Sequence, residues 1–234
     1  MISFVVPAYN EELELPPTIA AIRKAATQCD YEIIVVDDAS TDQTAAIASQ
    51  LGSKLVSIDR RQIAAARNAG ARAARGDILF FVDADTRINE KHVSGAIAAL
   101  EAGCAGGSAR VIVGGTIPLW ARILLKVFCT IYFALSLGAG AFLFTTRKKF
   151  DTIGGFDESL FIGEEVYFSL ALQKLGRFRI LPKPIVTSGR KLRMYSAREI
   201  LGNSLRVILG GPRGARSRDG LFLWYDGKRE TGST

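Results

Sequence analysis

Four short apolar runs, separated by stretches of helical periodicity, constrain this chain more than any other feature. Ile2–Val6, Tyr31–Val36, Lys54–Ile58 and Ile78–Val82 are nearly continuous apolar segments. Strands of that kind are buried on both faces, as in parallel sheets. Between the first two, Leu15, Ile19, Ile22 and Ala26 recur at helical spacing behind Pro16-Pro17, a suitable helix start. Ser40 and Gln43 predict a capping box for a second helix running to Leu51. An Ala/Arg-rich helix is predicted from about Gln62 to Ala74, closed by Gly76. The helix after the fourth run buries Val93, Ala96, Ile97 and Leu100. This βαβαβαβ order predicts an α/β fold, a Rossmann-like, doubly wound, mostly parallel sheet with helices on both faces. In such sheets ligands bind at the carboxyl ends of the strands.

The polar signatures lie at those ends: Pro7-Ala-Tyr-Asn-Glu-Glu12, Asp37-Asp-Ala-Ser40 and Asp83-Ala-Asp85. Asp83 and Asp85 are two apart on extended backbone, so their carboxylates point to one side. They repel unless a cation lies between them. A solvated turn has the same short pattern, so the pair alone decides nothing. The chain has no G-x-G-x-x-G after its first strand and no G-x-x-x-x-G-K-[ST], which argues against a dinucleotide dehydrogenase and a P-loop NTPase. One histidine, His92, leaves no material for a histidine metal cluster or a Ser-His-Asp triad, and its helix position predicts a solvent-facing ring. Cys29, Cys104 and Cys129 form no C-x-x-C pair, as expected of reduced thiols.

The second half is less regular. A strand is predicted at Ala109–Gly114, a turn at Gly154–Glu158, and a helix opening at Gly163-Glu-Glu165 with Phe168, Ala171, Leu172 and Leu175 on one face. Two short strands (Phe178–Leu181 and Ile185–Thr187), a helix capped by Ser196 and Glu199, and a basic tail with an apolar patch at Leu221–Tyr225 follow. Charge divides unevenly. Residues 1–116 carry 11 Lys/Arg against 14 Asp/Glu, and residues 117–234 carry 19 against 9. Such a basic back half implies a phosphate group, an anionic lipid surface or nucleic acid as company. Little aromatic interleaving places nucleic acid last.

Six motifs in one order then give the chain a family resemblance. V-V-P-A-Y-N-E-E at 5–12, V-V-D-D-A-S-T-D at 35–42, A-R-N-A-G at 66–70, G-D-I-L-F-F-V-D-A-D at 76–85, G-G-F-D-E at 154–158 and G-E-E at 163–165 resemble the family 2 glycosyltransferases of the GT-A fold over about residues 1–210. The resemblance implies an inverting, metal-dependent enzyme that moves a sugar from a nucleotide-diphosphate sugar, UDP-linked by expectation, to an acceptor hydroxyl. It implies one domain over 1–212, with a nucleotide-sugar half (1–105) and an acceptor half (106–212), then a basic tail (213–234). Pro7, Ala8, Tyr9, Glu11, Asp38, Arg67, Asp83 and Ala84 would line the donor site, although Arg67 suits a structural role on its helix equally well. Asp83 and Asp85 would hold Mn²⁺ or Mg²⁺. Gly155, Phe156 and Asp157 would shape the acceptor side.

Glu165 aligns with the family's general base, but Glu-Glu stands where relatives usually have Glu-Asp, so Glu164 remains a second candidate. Where many relatives place a late histidine, this chain has none, and Arg190 or Lys191 would stabilise the leaving diphosphate instead. A nucleotidyltransferase is the competing enzyme reading; a non-catalytic sugar-nucleotide or membrane-binding module is the competing one outside catalysis.

The uncharged stretch Val127–Phe144 is eighteen residues long, just short of the roughly 20 that span a bilayer. Gly138 and Gly140 argue against spanning, and so does the need to keep Asp85 and Glu165 together. The expectation is a helix over about Leu119–Leu137, then a buried strand. Trp120, Ile123, Leu124, Val127, Phe128, Ile131 and Leu135 would offer an apolar face for peripheral contact with an anionic membrane and a lipid-linked acceptor. A chain opening directly on a strand reads as cytoplasmic.

Overall fold

The computed structural model describes residues 1–114, 129–130, 132–188 and 215–216. Its elements are β1 (Ile2–Ala8), α1 (Leu15–Ala25), β2 (Tyr31–Asp38), α2 (Thr44–Gln50), β3 (Lys54–Ile58), α3 (Ile63–Ala73), β4 (Ile78–Val82), β5 (Thr86–Arg87), α4 (Glu90–Glu101), β6 (Gly106–Gly114), β7 (Phe142–Thr146), α5 (Arg147–Ile153), α6 (Glu164–Gln173) and β8 (Phe178–Ser188). One sheet runs in the order β3-β2-β1-β4-β7-β6-β8-β5. Its first four strands are parallel, β7 lies antiparallel between β4 and β6, and β6 and β8 are parallel. Only the three-residue Asp83–Asp85 turn separates β4 from β5, yet β5 pairs with β8 at the far edge. The sheet must therefore curl, and the end of β8 comes back beside that turn.

β4 shows why helices cover both faces. Its side chains alternate, so Phe80 and Val82 enter one apolar layer with Phe4, Ile19 and Val93, under α1 and α4. Leu79 and Phe81 enter the opposite layer with Ala66, Phe150 and Phe168, under α3, α5 and α6. Each of these buried phenylalanines stabilises the fold by about 1.5–3 kcal/mol. Phe81 meets Phe156 edge-on at 5.0 Å, and Phe156 stacks on Phe168 at 4.1 Å. The loop before α6 is thereby part of the core.

Three local expectations are corrected. The Ser40–Gln43 capping box does not form: α2 starts at Thr44, whose N–H donates to Asp42 (2.9 Å), while the Ser40 hydroxyl accepts from Asn10 N–H across the loops (2.9 Å). The two short late strands are one strand, β8. Pro182–Pro184 lie opposite the single residue Arg110, and this bulge keeps the ladder going past two prolines without N–H groups. His92 does not face solvent. It is buried, its Nδ1 accepts from Asn89 N–H at 3.0 Å, and its ring closes the start of α4. Burial holds its pKa below the ordinary value.

The strand before the G-G-F-D-E turn is present as β7. Of the helix expected over Leu119–Leu137, residues 129–130 and 132–134 are helical, and Leu135 and Ser136 form a turn. Trp120, Ile123, Leu124, Val127, Phe128 and Ile131 lie outside the described residues, as does the helix expected from Ser196. Among the described residues no helix is long and apolar enough to cross a membrane.

Candidate active site

At the carboxyl ends of β1, β2 and β3 the loops interlock. Glu11 N–H donates to Thr44 Oγ1 (2.8 Å), Thr41 N–H to Asn10 Oδ1 (2.8 Å) and Gln43 N–H to a Glu12 carboxylate oxygen (3.0 Å). Asp38, buried at the end of β2, accepts from three successive backbone N–H groups, those of Arg60, Arg61 and Gln62, each at 2.7 Å. That fixes the turn into α3 and occupies three of its four acceptor positions. Asn10, Ala39 and Arg61 have φ of 51°, 60° and 49°. Left-handed backbone at non-glycine residues is costly and persists where neighbours over-determine it, commonly at functional sites. Arg61 lays its guanidinium on the Tyr9 ring, 3.4 Å from the centroid. Pro7 and Ala8 are the last residues of β1, and Ala8 is buried.

The Asp83-Ala84-Asp85 turn is held from three sides. Asp83 N–H extends the β7 ladder to Ala141 O (3.2 Å), Thr18 Oγ1 donates to Ala84 O (2.6 Å), and Thr187 Oγ1 donates to Asp85 Oδ1 (3.2 Å). Thr187 reaches Asp85 because the sheet curls.

One buried side chain then joins this turn to the start of α6. Arg67 projects from α3 and is 1% exposed. Its Nη1 donates to Glu164 Oε1 at 2.7 Å, and its Nη2 to Asp83 Oδ1 and Gly140 O, each at 3.0 Å. A Cβ at position 140 would lie 2.8 Å from Nη2, so only glycine admits the guanidinium here. Burial opposes the Arg67 charge, but Asp83, Glu164 and Glu165 outweigh it and raise its pKa. Burial also pushes Asp83 up to about 6; Arg67 opposes that rise and the Asp85 charge adds to it. Glu165, half-buried on the first turn of α6, is pushed up to about 8 by burial and by Glu164, with Arg67 opposing. With Glu165 still protonated near neutrality, Asp83 and Glu164 around one guanidinium leave one negative charge in excess. The donor set is all oxygen and suits a hard cation. Among the described residues, however, no group of three or more His, Cys, Asp or Glu gathers to hold a metal without further ligands.

The next residue of α3, Asn68, clamps the loop before α6. Its side chain accepts from Phe156 N–H (2.9 Å) and donates to Phe156 O (2.9 Å) and to Glu158 Oε1 (2.9 Å). Gly155, at φ 78°, turns the chain so close to Asn68 that a Cβ would lie 2.7 Å from Oδ1. Gln62 Nε2 donates to Glu158 O (2.6 Å) and Leu160 O (3.1 Å). Asp157 is held on this loop by Ser159, which lowers its pKa.

The structure thus gathers Glu164, Glu165, Asp83, Asp85 and Arg67 at one edge, with the Gly155–Asp157 loop beside them. Arg190 and Lys191 lie outside the described residues. Sequence reasoning missed Asn68, Gln62, Thr187 and the Gly140 carbonyl. Asn68 sits inside the A-R-N-A-G motif and was open to notice; nothing in the sequence marks the other three.

Residues 3–157, about two thirds of the chain, match the family model described as Glycosyl transferase family 2. A dolichol-phosphate mannosyltransferase of Pyrococcus furiosus is 34% identical over 126 residues, covering 51% of this chain and 36% of that protein. In eight curated relatives, the aligned segment spans 18% to 55% of their length. A mannosyltransferase of Pyrobaculum calidifontis, solved with GDP-Man and Mn²⁺, superposes with a TM-score of 0.67 at 21% identity, covering 97% of this chain and 68% of that one. TarS 1–349 of S. aureus with UDP-GlcNAc gives 0.63 at 22%, covering 88% and 65%. At these identities the likeness shows the fold, the curled, mostly parallel GT-A sheet.

Proposed function

The chain belongs to glycosyl transferase family 2, and from that premise we propose that it moves a sugar from a nucleotide-diphosphate sugar to an acceptor hydroxyl with inversion. The observation that carries the reading is Arg67, whose guanidinium ties the strand-end carboxylate Asp83 to the helix-start carboxylate Glu164. In this reading the first set of loops binds the donor and the α6 side receives the acceptor. Residues 1–105 form the donor half and 106–212 the acceptor half.

Pro7, Ala8, Tyr9 and Glu11 line the nucleobase pocket, and Asp38 spends its fourth acceptor position on a base N–H. Asp83, Ala84 and Asp85 face the ribose and diphosphate, where the two carboxylates would hold Mn²⁺ or Mg²⁺ with phosphate oxygens completing the ligand set. When bound, the ion neutralises the departing diphosphate. Relatives with the same fold carry GDP-Man with Mn²⁺ and UDP-GlcNAc, and a UDP-sugar is our reading for this chain.

Glu165 is the base. Glu164 is committed to Arg67 in the interior, whereas Glu165 is half-buried and its raised pKa suits proton transfer near neutrality. Once ionised, Glu165 takes the acceptor proton as the hydroxyl oxygen forms its bond to the anomeric carbon. The bond from that carbon to the diphosphate oxygen breaks on the opposite face, so one displacement inverts the centre. Arg190 and Lys191 add positive charge to the leaving group in this reading. The likeness to a dolichol-phosphate mannosyltransferase and the uncharged residues 127–140 ahead of the buried strand β7 favour a lipid-linked acceptor and peripheral contact with an anionic membrane.

The donor half is tested by titrating UDP into the wild type and Asp85→Ala, each with Mn²⁺ and with EDTA. Tight binding only in the wild type with Mn²⁺ is expected. Equal affinity in all four mixtures contradicts the metal assignment.

A further inference from the structure

Residues 136–141, just ahead of β7, form a strap that joins α6 to the Asp83 turn by a route of its own. At one end Ala141 O accepts from Asp83 N–H (3.2 Å) and Gly140 O from Arg67 Nη2 (3.0 Å). Next to them Ala139 N–H donates to Ser108 Oγ on β6 (3.0 Å). At the other end the strap meets α6. Gln173 Nε2 donates to Ser136 O (2.9 Å), at a residue whose φ is 55°, and Gly138 N–H donates to Ser169 Oγ (2.9 Å). Ser169 is fully buried, and its hydroxyl donates one turn back to Glu165 O at 2.7 Å. One oxygen thus accepts from the strap and donates to the residue that carries the candidate base.

The contact is closely built. A Cβ at Gly138 would meet three buried side chains at once, Leu143 at 2.6 Å, Ser169 at 2.8 Å and Phe178 at 2.9 Å, so a larger residue would push the strap off α6. Tyr132 adds a bond from its phenol to Gly138 O (2.8 Å). Burial and the charges of Glu165 and Glu164 raise the pKa of that phenol, so it stays a donor. A serine bonded back to its i−4 carbonyl slightly destabilises a helix when it does nothing else. Here the same hydroxyl also satisfies the N–H of buried Gly138, and removing it strands that donor. We propose that Ser169 is a positioning residue that pins the first turn of α6 to the strap and so sets where the Glu165 carboxylate stands relative to Asp83 and Asp85. Arg67 grips Glu164 by its side chain, whereas Ser169 acts on Glu165 through its backbone. The inference rests on the reading of Glu165 as the base.

The test compares wild type with Ser169→Ala by peptide-resolved hydrogen exchange and by UDP release from UDP-GlcNAc with Mn²⁺ present. Alanine is the better helix former, so helix propensity cannot produce a loss. We expect faster exchange confined to residues 136–141 and 163–169, with the rest of the sheet unchanged. UDP affinity should stay near wild type while turnover falls by about 10- to 100-fold, the scale of a misplacement of roughly 1 Å. In a Glu165→Gln background the same change should cost nothing further, because Ser169 acts through Glu165. Exchange that is unchanged, or raised throughout the fold, overturns the proposal. So does unaltered turnover beside the local exchange pattern, and so does an equal fall in both backgrounds. Full turnover in Glu165→Gln alone instead removes the base reading, and the inference with it. Where the wild type releases no UDP from UDP-GlcNAc, the exchange pattern alone decides. Should Ser169→Ala fail to fold, Ser169→Cys, which fills the space with a weaker donor, takes its place.

Discussion

The loops after β1, β2 and β3 and the loop before α6 face the same site but are held by different forces. The first set is laced by many short bonds between backbone N–H groups and Ser40, Thr44, Asp42, Asn10 and Asp38. No one of these is decisive, since each contributes about 0.5–1.5 kcal/mol. The loop before α6 and the first turn of α6 hang on few groups, Gln62, Arg67 and Asn68 at the start and middle of one helix and the Phe156 ring in the core. The loops after β1, β2 and β3 are thus built to keep their shape under single changes. The loop before α6 is concentrated, and a change on α3 is felt in it at once.

The contrast breaks most severely at Arg67. Arg67→Met leaves buried Glu164 and half-buried Asp83 without their counter-charge, and removing one member of a buried pair costs about 3–5 kcal/mol. Urea unfolding at neutral pH should show that loss. Asn68→Ala should cost less, about 1–3 kcal/mol, because it strands the N–H and C=O of Phe156. It sharpens the comparison by its selectivity: the KM for acceptor should rise while the Kd for UDP, read by calorimetry, stays near wild type. Ser40→Ala in the first set of loops should be smallest, about 0.5–1.5 kcal/mol, because neighbouring bonds still hold the loop. A Ser40→Ala loss as large as that of Arg67→Met would remove the distinction.

The parallel half of the sheet was legible because its strands are uninterrupted apolar runs and its helices keep a 3.6-residue period. β8 was misread as two strands because Pro182 and Pro184 look like breaks, whereas a bulge opposite Arg110 absorbs them. His92 was misread because helical periodicity does not reveal a side chain folded back over its own helix start. The motifs located the edge on which the candidate residues gather. They did not reveal that Arg67 bridges 16 positions forward to Asp83 and 97 to Glu164. Nor did they reveal that the same pairing distinguishes Glu164 from Glu165. Both depend on which carboxylate is within reach of one guanidinium, a property of the folded chain.

That distinction is the central claim, and comparing Glu164→Gln with Glu165→Gln tests it most directly, with transfer and unfolding followed from pH 5 to 9. Folded Glu165 keeps its proton up to about 8, whereas the ordinary carboxyl value is 4.5. Between those values the unfolded chain binds fewer protons, so Glu165 lowers stability as pH rises. Glu165→Gln should remove that slope and be the more stable protein at pH 8, yet lose transfer by about 10²–10⁴-fold with UDP affinity intact. Wild-type kcat/KM should climb with pH through about 8 as the base ionises. Glu164→Gln should unfold more easily, by about 1–3 kcal/mol, and its folded fraction should still turn over. An inactive Glu164→Gln beside an active Glu165→Gln would contradict the account.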